Sequence, residues 1–442
     1  MGPKNTPGGS RFTDRRLVVL AVVFWAAATA LAGCYSSQGA DGSSSIGAEA
    51  GTTPISTPSS SGASPGFADT LAAATTATVA PAATSTSAST TTSTTTTSTT
   101  TTTEAPPPAL TVAAGGDVLG DRQVGTFVDE HGGEAVFAKV RPLLEEAHLA
   151  FVNLESPLSD RGTPDPHKEY TFLGRPTLAD GLAAAGIDVV SLANNHAVDF
   201  GPAALLDTID RLDEAGVNHA GAGADAEAAQ APALLITPAG IVAVLAFTEL
   251  VHPGFAATAD RAGINPATPD RKKLLAAIAS AQEKADFVVV SFHWGKEYTG
   301  RANQEQRRLA HQAIDAGADL ILGHHPHVIQ GLELYRDRLI AYSLGDFVWD
   351  HHSRETGETF VLQVAMKPGE PPYVEVIPVY LSEATGVPAP VTGNEADVIL
   401  NRLARLSSDL GLKLTRSGDR AVFAPATTTT TAAAPADWPP SP

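Results

Sequence analysis

Short apolar runs that end abruptly in polar residues are the main pattern of this 442-residue chain. The clearest is the β-branched run Val189–Leu192, which predicts a buried strand and is followed closely by Asn194, Asn195 and His196. Gly201 and the proline after it then predict the start of a helix. Ligands bind at the carboxyl ends of strands in open α/β sheets, so these polar side chains are candidates for a functional site. The alternative is a turn in which the asparagines cap the helix.

Four further runs repeat this pattern. Each ends in a residue that is able to bind a metal ion: Leu110–Ala114 in Asp117, Leu149–Val152 in Glu155, Phe287–Phe292 in His293 and Glu297, and Leu320–Leu322 in His325 and His327. Helical patterns that end at glycine separate several of these runs. Several such residues at equivalent strand ends are difficult to explain by packing alone. We therefore predict a metal site.

The later part of the chain has a different pattern. Thr359–Met366 and Tyr373–Tyr380 alternate apolar and polar residues around a Gly/Pro turn, which predicts antiparallel strands. Asn394 is expected to cap a final helix that ends at Gly411. Early strands separated by helices, followed by a late meander, predict an α/β protein of mixed α+β character. Two sheets are expected to pack face to face with helices outside.

The composition divides the chain into four segments. Residues 35–108 and 425–442 are rich in Ser, Thr, Ala and Pro, so we expect a disordered linker and tail around one domain at 109–424. Residues 1–34 have the basic start and short apolar run of a signal peptide. The run ends in Leu-Ala-Gly-Cys34, which resembles a bacterial lipobox and implies lipid attachment to Cys34. The alternative is an ordinary secretory signal. We expect an extracytoplasmic protein anchored to the cell membrane as a lipoprotein.

The charge and the cysteine count limit the partners and cofactors. A net charge of −19 argues against binding to nucleic acid. It is also unfavourable for a polyanionic substrate unless bound cations reverse the field locally. Because Cys34 is the only cysteine, disulfides and cysteine-based metal sites are excluded. Carboxylates, an asparagine oxygen and imidazoles suit one or two divalent ions of Mn, Zn, Fe or Co.

Six segments of the predicted domain resemble the bacterial CapA family of poly-γ-glutamate capsule synthesis proteins. They are GDVLGDR, NLESPL, AGIDVVSLANNHAVDFG, FHWGKEY, GADLILGHHPHVIQ and YSLGDFVWD, in the family's order. That family is similar in turn to calcineurin-like metallophosphoesterases. The resemblance implies a metallophosphoesterase-like four-layer αββα sandwich.

The resemblance also implies a set of metal ligands. Glu155 would bridge two ions. The remaining ligands would be Asn195, His293 and His325 on one ion, and Asp117 and His327 on the other. The phosphoesterase pattern has Asp-x-His at its first motif, whereas this chain has Asp-Val-Leu. One ion therefore lacks a ligand.

Three further residues would act on the substrate. His196 would be a general acid or charge stabiliser, Arg122 would hold an anionic group, and Glu297 would assist as a base. The alternatives are a surface ion pair for Arg122 and a structural role for Glu297. Asp346 stands where the family more often has Asn, and its role stays open.

Two functions from different classes follow from the resemblance. The first is a metal-dependent hydrolase or transferase that acts on phosphoester or amide bonds of cell-envelope polymers. The second is a non-catalytic module that binds or exports an anionic polymer such as poly-γ-glutamate. Other capsule synthesis proteins are expected partners in either case. The missing first-motif histidine favours the second function, and the presence of His196 favours the first.

Overall fold

The computed structural model describes residues 108–268 and 270–425. The predicted signal peptide, linker and tail, with Cys34, fall almost entirely outside these residues and stay predictions. The strands are β1 Leu110–Val118, β2 Leu149–Leu154, β3 Val189–Ser191, β4 Asn218–Ala220, β5 Ala222–Gly223, β6 Ala233–Thr237, β7 Gly240–Thr248, β8 Gly263–Ile264, β9 Phe287–His293, β10 Leu320–His324, β11 Leu332–Tyr335, β12 Arg338–Ala341, β13 Asp346–Val348, β14 Glu358–Met366, β15 Tyr373–Leu381, β16 Pro388–Pro390, β17 Thr415–Ser417 and β18 Arg420–Phe423. The helices are α1 Arg122–His131, α2 Glu134–Phe137, α3 Arg141–Leu144, α4 Leu178–Ala184, α5 Pro202–Ala215, α6 Ala226–Gln230, α7 Arg271–Gln282, α8 Gln304–Asp315, α9 Arg354–Gly357 and α10 Gly393–Ser408.

Two large sheets form the centre of the described domain. The first has the strand order β17-β18-β15-β14-β1-β2-β3-β4, with β13 beside β1 and β16 beside β15. The second has the order β11-β12-β10-β9-β7-β6. The strands β1 to β4 run parallel to one another, and so do β7, β9, β10 and β12. Each sheet therefore gathers several carboxyl ends at one edge.

The core has three main layers, one between the two sheets and one between each sheet and the helices outside it. Val112 of β1 belongs to the same buried cluster as Val289 of β9, so the inner faces of the two sheets pack together. Ala113, the next residue of β1, packs with α1 to α5, because successive side chains of a strand point to opposite faces. Val290 of β9 packs with α7 and α8. The predicted four-layer αββα sandwich is confirmed.

The turn after β3 does not cap a helix. α5 begins directly after Gly201 and ends before Gly216, whose φ of 79° is the left-handed conformation that glycine favours. No side chain of the described chain caps the first turn of α5. Asn194 instead donates hydrogen bonds to the side-chain oxygen of Asn153 and to the carbonyl of Leu154. The capping alternative for this stretch is therefore wrong.

The final helix differs from the prediction at both ends. α10 follows the N-cap Thr392, so the prediction that Asn394 caps it is wrong, and the helix ends at Ser408. The first N–H group of the helix, at Gly393, donates to Asp419 at 2.9 Å, so a residue distant in sequence satisfies it. α10 packs against β11 of one sheet and β15 and β18 of the other. It thus covers the core between the sheets.

A close approach of two glycines brings two acidic residues to the same edge. A Cβ atom at Gly116 would lie 1.9 Å from the carbonyl oxygen of Gly345, so no side chain fits there. β1 pairs with β13 in the register that puts Asp117 opposite Asp346.

Within the described ranges, no helix has both the length and the apolar character needed to cross a membrane.

Candidate metal centre and adjoining cleft

The carboxyl ends of the two sheets meet at Asp117. His324 of the second sheet donates from Nδ1 to its Oδ1 at 3.1 Å, and Asn153 donates to the same oxygen at 2.9 Å. The backbone N–H of His325 donates to the other carboxylate oxygen at 3.1 Å. Asn153 also reaches Glu155 at 3.1 Å. The parallel strand ends thus bring residues far apart in sequence into one buried cluster.

The predicted ligands, apart from Asn195, occur in three overlapping groups whose ligand atoms lie within 4.8 Å of one another. The groups are Glu155 with His325 and His327, Asp117 with Glu155 and His293, and Asp117 with His327 and Asp346. Asn195 joins through its Oδ1, which lies 2.7 Å from Nε2 of His293. These buried acidic and histidine groups are able to hold a metal ion. How the ligands divide between two ions stays a prediction.

Unpartnered polar atoms fit a metal ion at this cluster. Glu155 Oε1 and His325 Nδ1 are buried and have no hydrogen-bond partner among the described residues. An unsatisfied buried polar atom costs about 1–3 kcal/mol, and coordination to a cation would remove that cost. Carboxylate, amide and imidazole donors together suit a borderline divalent ion.

Burial shapes the titration of the cluster. Burial and the neighbouring Asp117 carboxylate raise the pKa of Glu155 well above its ordinary value. Burial lowers the pKa of His293 well below the usual range, and it lowers the pKa of His325 to about 3. Both imidazoles are therefore neutral at pH 7, which is the form that binds metal ions.

The structure places Asp346 inside this cluster. Its Oδ1 lies 2.7 Å from Nδ1 of His327. Burial would lower the pKa of His327, but the Asp346 carboxylate raises it to about 10. Burial raises the pKa of Asp346 to about 6 in spite of that cation. Asp346 therefore offers a further oxygen ligand beside Asp117 and His327.

The three residues predicted to act on the substrate line one cleft beside the cluster. This cleft has a volume of about 580 Å³. Arg122, His196 and Glu297 line it together with His327 and Asp346. Its aromatic lining consists of Tyr170, Phe172, Tyr298 and Trp349. A ligand in the cleft would thus contact both the edge of the buried cluster and the three residues predicted to act on the substrate.

His196 is held by a buried carboxylate. Its Nδ1 lies 2.6 Å from Oδ2 of Asp199, and its ring centroid lies 4.2 Å from that of Phe172. A carboxylate only accepts hydrogen bonds, so Nδ1 donates and Nε2 is the nitrogen available to the cleft. Burial lowers the pKa of His196, although Asp199 opposes this effect.

Arg122 and Glu297 lie at more exposed positions of the cleft. The guanidinium carbon of Arg122 lies 4.5 Å from the ring centroid of Phe172. Its ion pair with Asp350 is long, at 3.5 Å, and about a third of the side chain (33%) is exposed. The guanidinium therefore keeps donors for a ligand. Glu297 is exposed and lines the cleft, so its choice between a base and a structural role stays a prediction.

Sequence reasoning missed His324 and Lys168. His324 is the register partner of His293 on the neighbouring strand, so the pairing of the two runs would have indicated it. Lys168 lies in a loop without periodic pattern, and its contacts with Asn195 and Asp199 depend on the tertiary fold.

Comparison with known proteins identifies the family. Residues 111–351 match the family described as "Bacterial capsule synthesis protein PGA_cap". The "PGA biosynthesis protein CapA" of Bacillus subtilis (strain 168) is 32% identical over 295 residues, which cover 66% of this chain and 77% of the relative. The "Capsule biosynthesis protein CapA" of Bacillus anthracis is 33% identical over 290 residues, which cover 64% and 70%. The predicted resemblance is confirmed, and the chain belongs to the PGA_cap family of bacterial capsule synthesis proteins.

Proposed function

We propose that this chain is a membrane-anchored extracytoplasmic protein of capsule polymer synthesis, and that its cleft is the site of a metal-dependent hydrolase. The substrate would be an anionic envelope polymer such as poly-γ-glutamate. The observation that carries the proposal is the cleft in which His196 and Arg122 adjoin a buried cluster of carboxylates and imidazoles. The family and the printed names of the two Bacillus relatives support the class of polymer.

The residues at the strand ends would hold one or two divalent ions. They are Asp117, Glu155, Asn195, His293, His325 and His327, with Asp346 as a further oxygen donor. When bound, such ions polarise the scissile oxygen and supply a nucleophile that is strong at neutral pH.

The side chains of the cleft would bind the polymer and move a proton. Arg122 would pair with a carboxylate or phosphate, and its contact with the Phe172 ring orients the guanidinium. Because burial lowers its pKa, His196 would start neutral, take a proton from the attacking water at Nε2 and pass it to the leaving group. Asp199, at 2.6 Å from Nδ1, would stabilise the imidazolium formed in between. Glu297 would assist as a base at the exposed side of the cleft.

One observation favours the alternative, a polymer-binding module without turnover. Leu119 occupies the position of the first-motif histidine, and it is buried in a small apolar cluster with Phe172 and Trp349. A side chain that packs with the aromatic lining thus stands where the phosphoesterase pattern has a ligand, which is compatible with binding of a polymer without turnover. Asp346, which could share an ion with Asp117 and His327, supports the hydrolase instead.

The experiment that tests the proposal compares the full chain with Glu155→Ala and His196→Ala. Metal content is measured by elemental analysis, and turnover is measured on γ-glutamyl, peptide and phosphodiester substrates. Glu155→Ala is expected to lose metal, polymer binding and turnover together. His196→Ala is expected to keep metal and binding while kcat falls by roughly 10²–10⁴-fold. His131→Ala, at an exposed position of α1, is the matched control.

Two outcomes would contradict the proposal. Metal-dependent polymer binding by the wild type without turnover on any substrate would establish the binding module instead. Loss of metal from His196→Ala would show that this histidine is a ligand.

A further inference from the structure

Lys168 is an almost buried lysine next to the cleft, in the loop of residues 155–177. Its side chain is only 10% exposed. Its ammonium donates to the backbone carbonyl of Asn195 at 2.5 Å and to Oδ1 of Asp199, and it lies 3.2 Å from Nδ1 of His196. Burying an ammonium is unfavourable unless a carboxylate and hydrogen bonds compensate for the lost hydration. All these compensating groups belong to the turn that carries Asn195 and His196.

Asp199 connects this lysine to the imidazole. The side chain has no exposed surface. Lys168 contacts its Oδ1, whereas Oδ2 accepts from Nδ1 of His196 at 2.6 Å and from the backbone N–H of Phe172 at 2.9 Å. Both oxygens are thus engaged, so the carboxylate cannot rotate without breaking a hydrogen bond. The orientation of the His196 ring depends on this fixed carboxylate.

We propose that Lys168 is a positioning residue that, through Asp199, holds the imidazole of His196 in a fixed orientation. The backbone carbonyl of Asn195 anchors its ammonium, and the ammonium fixes the Asp199 carboxylate, which keeps Nδ1 of His196 directed away from the cleft. This inference rests on the proposed function of the cleft, and it assigns a role there to a residue that does not itself touch the substrate.

The test is a double-mutant cycle in the full chain with Lys168→Met, which removes the charge and keeps the length of the side chain. The kcat of Lys168→Met is expected to fall about 10- to 100-fold, the range typical when a group that orients a functional residue is lost. KM and metal content are expected to stay unchanged. In the His196→Ala background, the same substitution is expected to leave kcat unaltered, because the lysine acts through His196. Lys139→Met, at an exposed site, is the matched control.

A measurement that does not require turnover tests the role of Lys168 independently of the hydrolase proposal. Nitrogen NMR of histidine-labelled protein, with the His196 signals assigned from His196→Gln, is expected to show a protonated Nδ1 in the wild type. Lys168→Met is expected to change this pattern at His196. An unchanged pattern, or an equal loss of kcat in both backgrounds, would overturn the role of Lys168. If wild-type protein shows no turnover, the hydrolase proposal fails while the NMR result still decides about Lys168.

A second variant covers the case in which Lys168→Met does not fold. Lys168→Arg keeps the charge that compensates Asp199 but changes the shape of the cation. Any decrease of kcat in Lys168→Arg is expected to disappear in the His196→Ala background. A decrease that persists there would overturn the proposal.

Discussion

Oε1 of Glu155 lies 3.4 Å from Nε2 of His293, and neither side chain has any exposed surface. This oxygen has no hydrogen-bond partner among the described residues, and burial keeps the imidazole neutral at pH 7. Nε2 of His293 instead lies 2.7 Å from Oδ1 of Asn195 and donates to it. Glu155 Oε1 is thus left without a hydrogen bond beside an imidazole, an arrangement that fits a metal ion better than it stabilises the metal-free fold.

Replacing Glu155 by Gln is expected to separate the stability of the metal-free protein from the stabilisation that bound metal adds. The metal-free variant is expected to be at least as stable as metal-free wild type at pH 8, because it lacks a buried carboxylate whose pKa is raised. Added metal should raise the melting temperature of the wild type but not of Glu155→Gln. Thermal unfolding with and without a chelator measures both differences. Equal stabilisation of the two proteins by metal would contradict the role of Glu155 as a ligand.

Asp346→Asn tests whether the residue beside His327 contributes to the metal site. Its carboxylate belongs to a group of potential ligands with Asp117 and orients the His327 ring at 2.7 Å. Metal affinity is expected to fall about 10- to 100-fold, whether Asp346 binds the ion directly or orients its ligand. Calorimetric titration with Mn²⁺ and Zn²⁺ measures the change. Unchanged affinity for both ions would exclude Asp346 from the site.

The residues at the site differ in how far the sequence could predict them. Asp117, Glu155 and His293 lie within three residues of the ends of apolar runs, and the structure brings these strand ends together, as expected for the carboxyl ends of parallel strands. Lys168 carries no such signal, because its partners depend on how the loop of residues 155–177 folds back over the turn after β3.

The strand prediction was less complete for the second sheet. β7 is an interior strand of this sheet, between β9 and β6, and it was not among the predicted strands. The apolar run Ile241–Phe247 is typical of a buried parallel strand, and Glu249 and His252 follow it much as polar residues follow the predicted strands. Neither residue belongs to the potential metal ligands of the described residues, so β7 supports the sheet without contributing to the cluster. The start of α10 was predicted wrongly because its first N–H group, at Gly393, donates to Asp419 in the turn between β17 and β18, which lies far from the helix start in sequence.

Asp188 is expected to make the fold less stable as the pH rises. Burial raises its pKa to about 6, although the backbone N–H of Ala150 donates to it at 2.7 Å. The unfolded chain ionises at lower pH than the folded one, so stability falls between about pH 4 and pH 6 and stays reduced above pH 6. Asp188→Asn keeps an acceptor for Ala150 and should be more stable than wild type at pH 8 by roughly 1–3 kcal/mol. Urea unfolding at pH 4 and pH 8 measures this, and a difference that does not grow with pH would contradict the assignment.

Cys34→Ala tests the predicted lipid anchor, which lies outside the described residues. If the Leu-Ala-Gly-Cys34 sequence is a lipobox, the wild type should partition into detergent, because several acyl chains together give stable membrane attachment. The variant should accumulate as uncleaved precursor or as soluble protein. Ser36→Ala, two residues further on, is the control. Equal partitioning of the variant and the wild type would rule out the anchor.

Arg122→Lys tests whether the guanidinium reads an anionic group of the polymer. Lysine keeps the positive charge but loses the planar fork that pairs with a carboxylate and stacks on Phe172 at 4.5 Å. The Kd for carboxylate-bearing oligomers is expected to rise about 10-fold, while metal content stays constant, because one charged hydrogen bond of about 1.5 kcal/mol is lost. Arg141→Lys is the control, since its pair with Glu145 at 2.7 Å lies on the surface of α3. An unchanged Kd for Arg122→Lys would show that the guanidinium does not bind the polymer and only pairs with Asp350. Recognition of the anion would then have to come from the metal cluster.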